Sequence, residues 1–205
     1  MTNPRIVVVS AGLGEPSSTK LLADRLRDAT MRALAGHGQH AEPVDVVLRP
    51  LAQDIAAHML AHNPSEALDA ALKEVVDAEA IIAVTPTFNM SYSGLFKSFF
   101  DLVEEGQLAS IPTALGATGG SARHSMVMDT AMRPMFAYLK AQVVPTGVFA
   151  ASEDWGTASG LDRRIEREGK ELADLMVALP RRREADPFDE SSDAFVSFEQ
   201  MLGHA

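Results

Sequence analysis

The 205-residue sequence contains no cysteine. That excludes a disulfide framework, a thiolate nucleophile and any cysteine-ligated metal site. Positive charge is scarce. Eighteen Lys and Arg stand against 28 Asp and Glu, giving a net charge of -10 and a pI near 5.0. A field of that sign repels nucleic acid and anionic bilayers, so neither is an expected partner. No apolar run approaches the roughly 18 residues that cross a membrane. The short run after Arg5 stops in glycine too soon for a secretory signal. A cytoplasmic location is the expectation. No internal repeat is visible, and no Ser/His/Asp arrangement for nucleophilic catalysis can be argued from spacing. The chain is 46% hydrophobic and 22% charged, which fits one globular domain with a full core.

Strand-like and helix-like stretches alternate along the chain. Ile6 to Val9 reads as a buried strand, and from Ser17 the apolar residues Leu22, Leu26, Ala29 and Ala33 recur at helical spacing. Gly36 and Gly38 end that helix. Pro43 to Leu48 reads as a second strand, and Ser65 to Asp77 as a helix with Ala67, Leu68, Ala71, Leu72 and Val75 inward. AEAIIAVTP is a third, almost uniformly apolar strand, followed from Ser93 by a helix carrying Leu95, Phe96, Phe99, Phe100 and Val103. PTALGATGG is a fourth strand, and Met128, Met132, Met135 and Leu139 mark a helical stretch that Pro134 kinks or restarts. VVPTGVFA is a fifth strand, and the last helix carries Leu161, Ile165, Leu172, Leu175, Met176 and Leu179. Apolar strands separated by helices specify an α/β fold, a doubly wound five-stranded parallel sheet covered on both faces. Residues 1–180 form this domain. PRRREADPFDESSD then opens a charged linker and C-terminal tail, 181–205, whose apolar end around Phe195–Leu202 is expected to dock.

In such a sheet, ligands bind beyond the carboxyl ends of the strands. Three loops leave those ends, and all are rich in Gly, Ser, Thr and Asn. The first, Ser10–Thr19, is not a P-loop, because it lacks the Gly-Lys-Ser/Thr ending. Nor is it a dinucleotide fingerprint, since Gly12 and Gly14 are followed by Pro16 and Ser17. What remains is a helix N-terminus with free N–H groups and the hydroxyls of Ser10, Ser17, Ser18 and Thr19, a socket for one phosphate. A plain helix cap by Ser17 or Ser18 is the alternative. The second loop, TPTFNMSYSG, places Pro86, Thr87, Phe88, Asn89, Tyr92 and Ser93 at the sheet edge, where aromatics and an amide suit a flat heterocycle. In the third, Thr118, Gly119, Gly120 and Ser121 can point N–H groups at a ring edge that becomes anionic on reduction. Ordinary turn chemistry is the alternative for both.

Other signals carry less. His58 and His62 stand four apart, but Met59 follows the first histidine where a metalloprotease has glutamate, so no metal site is expected. His124 could reach a phosphate or ribose or cap its own helix. Arg123 and Arg133 are candidates for a nucleotide 2′-phosphate. Trp155, the only tryptophan, is assigned to packing, with stacking on a bound ring or filling a subunit interface as the alternatives. The methionine-rich stretch Met126–Leu139 offers more apolar surface than one helix face buries against its own sheet, which points to a homo-oligomer.

The three loops together resemble the NADPH-dependent FMN reductase family of the flavodoxin-like superfamily. The resemblance covers about residues 5–179 and is most specific in TPTFNMSYSGLFKSFFD and TGGSARHS. It is nearest to the branch that supplies reduced FMN to luciferase-like, flavin-dependent monooxygenases. It implies a flavodoxin-like strand order of 2-1-3-4-5, FMN as flavin and NADPH or NADH as reductant. It also implies that Ser10 and Ser17–Thr19 hold the phosphate, Pro86–Asn89 line the isoalloxazine, and Thr118–Ser121 contact its pyrimidine edge. Many members carry an arginine in the first loop where this chain has Gly12. An FMN-bound quinone or azo reductase, or a non-enzymatic electron carrier, are the rival readings.

Overall fold

The apolar runs become strands of one sheet in the computed structural model, which describes residues 4–156 and 160–179. The strands are β1 (Arg5–Ser10), β2 (Glu42–Val47), β3 (Ala80–Phe88), β4 (Ser91–Tyr92), β5 (Pro112–Gly119), β6 (Gln142–Val143) and β7 (Val148–Ala151). The helices are α1 (Ser18–Gly36), α2 (Ala52–Ala61), α3 (Glu66–Val76), α4 (Gly94–Phe100), α5 (Arg133–Tyr138) and α6 (Leu161–Ala178). β1 lies between β2 and β3, and β5 pairs with the far side of β3, all in parallel. β6 and β7 both extend the sheet beyond β5. The order 2-1-3-4-5 therefore holds for the five principal strands, the fifth being in two pieces.

Successive strand residues point to opposite faces. Ile6, Val8, Ile82 and Val84 pack beneath α1 and α6 with Leu22, Leu26, Ile165 and Leu172. Val7, Val9, Ile81 and Ala83 pack on the other face with Ile55, Leu68, Phe96, Phe99 and Phe136. Burial on both faces is why these strands read as continuous apolar runs rather than alternating ones. β2 is an edge strand, the place where a proline such as Pro43 is tolerated. α1 and α6 touch at Gly169, where a Cβ would stand 2.7 Å from that of Ala29.

Three segments differ from the sequence reading. Residues 52–61, given no element by periodicity, form α2; only Ile55 of that helix is buried, so its apolar signal is faint. The stretch Met128–Leu139 is a π-helical turn, Met128–Met132, continued by α5, with Pro134 in the first turn where its missing N–H is tolerated. VVPTGVFA is interrupted between β6 and β7, and side chains replace the lost ladder bonds. Arg133 donates to the Val144 carbonyl at 2.9 Å and to that of Pro145. Glu171 accepts the N–H and hydroxyl of Thr146, each at 2.7 Å. Glu168, wholly buried, accepts the Leu115 N–H at 2.8 Å and faces the Val148 N–H. Burial pushes the Glu168 carboxyl well above the usual carboxylate range, against the opposing pull of these amides and Arg133. Burial pulls Glu171 the same way, but Thr146 and Arg167 hold it below its ordinary value.

No helix among the described residues is long and apolar enough to cross a membrane. The linker and tail, 181–205, with the domain boundary at residue 180, lie outside the described residues.

Candidate functional site

Strand register brings the three loops to one edge. Ser10 at the end of β1 sits beside Val84 of β3, and Pro86 sits beside Thr118 of β5. The first loop leaves a buried Ser10, whose carbonyl accepts the Leu48 N–H at 3.0 Å. It returns into α1 through Ser17, whose hydroxyl accepts the Lys20 N–H at 3.1 Å. The capping alternative is thus realised by Ser17, while Ser18 is exposed on the first helical turn. The turn is tight: a Cβ at Gly12 would lie 2.0 Å from the Ser17 hydroxyl oxygen. Thr19 and Thr118, both expected to face a ligand, are buried and joined hydroxyl to hydroxyl at 2.9 Å. Their bond ties the first loop to the third.

The second loop is a β-hairpin, which periodicity does not reveal. Phe88 pairs with Ser91, and Thr87 with Tyr92. The two residues between, Asn89 and Met90, have φ of 48° and 68°, the left-handed pair of a type I′ turn. Asparagine tolerates that region, so the turn accounts for Asn89 in backbone terms. Phe88 is exposed at the tip, and Pro86 and Thr87 are half-buried. Tyr92 is drawn inward, its ring 6.0 Å from that of Phe96, along a cavity of about 640 Å³ between α4 and α5. Ser93 is buried as the cap of α4, accepting the Phe96 N–H at 3.2 Å and donating its own N–H to Thr85 at 3.0 Å. In the third loop Gly119 and Gly120 open the edge, and the Ser121 hydroxyl accepts the Arg123 N–H at 3.3 Å.

Five buried side-chain polar atoms among the described residues have no hydrogen-bond partner, and two of them, Thr87 Oγ1 and His124 Nδ1, lie on these loops. Such atoms call for a ligand or a water. The same sheet edge carries the start of α1, whose dipole favours an anion. A phosphorylated flavin fits this donor set.

Several candidates are placed elsewhere. Arg133 is held by Asp129 and the carbonyls between β6 and β7, so it braces the sheet and does not face a nucleotide. His62 ends α2 in the left-handed region, and no cluster of three His, Asp or Glu side chains suited to a metal occurs among the described residues. Trp155 packs against the core beneath α1 and α6. Sequence reasoning passed over Arg49, which lines a cavity of about 310 Å³ with Ser10, Gly12 and Ser17. Nothing in the local pattern links residue 49 to the first loop; only the pairing of β1 with β2 does so.

The chain matches the family model described as NADPH-dependent FMN reductase over residues 4–156. It is 34% identical over 155 residues to the NADH-dependent FMN reductase SfnE of Pseudomonas putida, covering 75% of this chain and 81% of that one. Among solved structures, an oxidoreductase from Corynebacterium diphtheriae superposes with a TM-score of 0.84 at 39% identity, covering 87% of this chain and 99% of that one. A WrbA-like flavodoxin from Agrobacterium tumefaciens, 17% identical, shares the fold at a TM-score of 0.60 over 86% of this chain and 99% of its own. Fold, loop edge and sequence likeness agree: the chain belongs to the NADPH-dependent FMN reductase family.

Proposed function

We propose that the protein oxidises NADH or NADPH, reduces FMN, and passes the reduced flavin to a flavin-dependent monooxygenase. The observation that carries this is the edge where the start of α1 and the unpartnered Thr87 Oγ1 and His124 Nδ1 converge. Bound FMN supplies the hydride chemistry, so the chain's task is to bind and orient. The amides at the start of α1, with Ser10 and Ser18, hold the phosphate. Pro86, Thr87, Phe88 and Asn89 flank the ring, and the N–H groups of Gly119, Gly120 and Ser121 donate to its pyrimidine edge, where negative charge develops. Thr19 and Thr118 act from beneath by fixing the loops; Tyr92 and Ser93 shape the hairpin that carries them. With Tyr92 turned toward Phe96, Phe88 is the exposed aromatic of the three loops among the described residues. An open ring face admits a nicotinamide, which favours a reductase over an electron carrier.

The test is steady-state oxidation of both nicotinamides against free FMN, FAD, riboflavin and a quinone. FMN-dependent oxidation is expected. Binding of FMN without nicotinamide oxidation would leave the carrier reading, and faster turnover on a quinone with FMN retained would leave the quinone reductase. Nucleotide preference comes from the same assay. Asn89→Gly keeps the left-handed turn and removes the amide, so lower turnover with an intact fold would place that amide at the ring. A homodimer or homotetramer belongs to the same proposal. Met128, Met132, Phe136 and Leu139 serve the chain's own core, but Met126 and Tyr138 remain 56% and 68% exposed. A monomer by light scattering would remove that part.

A further inference from the structure

The first loop holds no cation for a phosphate. No Lys or Arg lies between Ser10 and Thr19. Lys20, the next residue, is engaged by the carboxylates of Asp24 and, at 3.2 Å, Asp45. Position 12 is a glycine, and a Cβ there would stand 2.0 Å from the Ser17 hydroxyl oxygen, so a side chain at this position would displace the cap of α1. A dianion resting on amides and hydroxyls alone, in a chain of net charge -10, would be weakly held.

The neighbouring strand supplies what the loop lacks. The Leu48 N–H donates to the Ser10 carbonyl at 3.0 Å, so the chain leaving β2 runs along the first residue of the loop. The next residue, Arg49, pairs with Glu15 of the loop at 2.5 Å. Both line the 310 Å³ cavity that contains Ser10, Gly12 and Ser17. The side chains of Arg49 and Glu15 are 44% and 83% exposed, so the pair closes the cavity from its solvent side. Carboxylate and phosphate offer a guanidinium the same two-oxygen edge, and they compete for it.

The geometry points to Arg49 as the cation that clamps the flavin phosphate, with Glu15 holding the guanidinium over the cavity until the phosphate displaces it. This rests on the FMN reading above. The displaced Glu15 carboxylate returns to water, where it is already largely exposed, so its release carries little desolvation cost. Arg49 lies outside the three loops and comes into play only through the pairing of β1 with β2.

Equilibrium binding of FMN and of riboflavin to the purified full chain, by flavin fluorescence quenching, tests the assignment without turnover. Wild type is expected to prefer FMN. Arg49→Ala should weaken FMN by roughly tenfold or more and leave riboflavin unchanged. Arg49→Lys should fall between them, since a point charge replaces a fork. Glu15→Gln should tighten FMN several-fold by freeing the guanidinium, and it reports on the pair even if an Arg49 variant folds poorly. An Arg49→Ala protein that keeps the full FMN preference overturns the role of Arg49 and leaves the socket standing. A wild type indifferent between the two flavins overturns the socket and the clamp together. If Arg49→Ala raises KM for NADPH but not NADH, with FMN affinity intact, the phosphomonoester it serves is the nucleotide's 2′-phosphate, and the flavin assignment fails.

Discussion

The chain breaks its strands in two places and treats the exposed polar groups in opposite ways. Between β6 and β7 the interruption is largely closed from within: Glu168, Glu171 and Arg133 take up amides and carbonyls that a continuous strand would have paired, and Glu168 Oε2 alone of their carboxylate oxygens is a buried atom without a partner. At the carboxyl edge the first loop interrupts the path from β1 to α1, and closure is incomplete. Ser17 caps one amide, Thr19 and Thr118 satisfy each other, and Thr87 Oγ1 and His124 Nδ1 stay without partners. The same material, hydroxyls and backbone amides at a strand break, is tied up by charged side chains at one break and left partly open at the other. Burial of Glu168 is the extreme of the first case. Burial holds its carboxyl well above the ordinary range, against the opposing pull of the amides it faces.

Each side of this contrast can be broken separately. The largest effect is expected at Glu168→Leu, which strands the Leu115 N–H and removes the acceptor facing Val148. Unfolding by urea should show a loss of about 2–4 kcal/mol, with flavin affinity of the folded protein unchanged. A loss below about 0.5 kcal/mol, the scatter of surface substitutions, would mean the gap is closed by something else. Next, Ser18→Ala should weaken FMN by roughly 1.5–3 kcal/mol and spare riboflavin, because only FMN carries the phosphate. Equal losses for both flavins would put the Ser18 hydroxyl elsewhere. Ser17→Ala should lower stability by about 1 kcal/mol through the lost cap, an effect visible in apo protein. The subtlest change is a slope. Glu168 holds its proton in the folded chain, whereas the unfolded chain ionises near 4.5. Above that pH the folded state binds more protons, so stability falls as pH rises toward the folded value. Glu168→Gln should flatten that part of the stability profile; an unchanged slope would show that Glu168 is not its source.

The core was legible because buried parallel strands announce themselves as short apolar runs, as in Ile6–Val9 and AEAIIAVTP. The candidate site was legible as loops, since the carboxyl edge of a doubly wound sheet is fixed by topology. What the pattern could not carry was partnership across distance. Thr19 and Thr118 read as two ligand contacts, yet they are each other's partner, 99 residues apart. Arg133 read as a nucleotide contact, yet the broken fifth strand claims it. Asn89–Met90 gave no hairpin signal because the usual second glycine is replaced by methionine, held in the left-handed region by its strands. α2 was missed for a simpler reason: a helix with one buried residue has almost no periodicity to read.

The Thr19–Thr118 bond has a metric consequence. It pins the first turn of α1 to the end of β5 at a fixed 2.9 Å between hydroxyls, deep beneath both loops. The two ends of the proposed site are therefore marks on one ruler rather than independently adjustable jaws. On that reading, a molecule is measured by the span between its anion and its ring. Thr19→Val, which keeps the shape but cuts the tie, would change the selection of ligand length before it changed the affinity of either end.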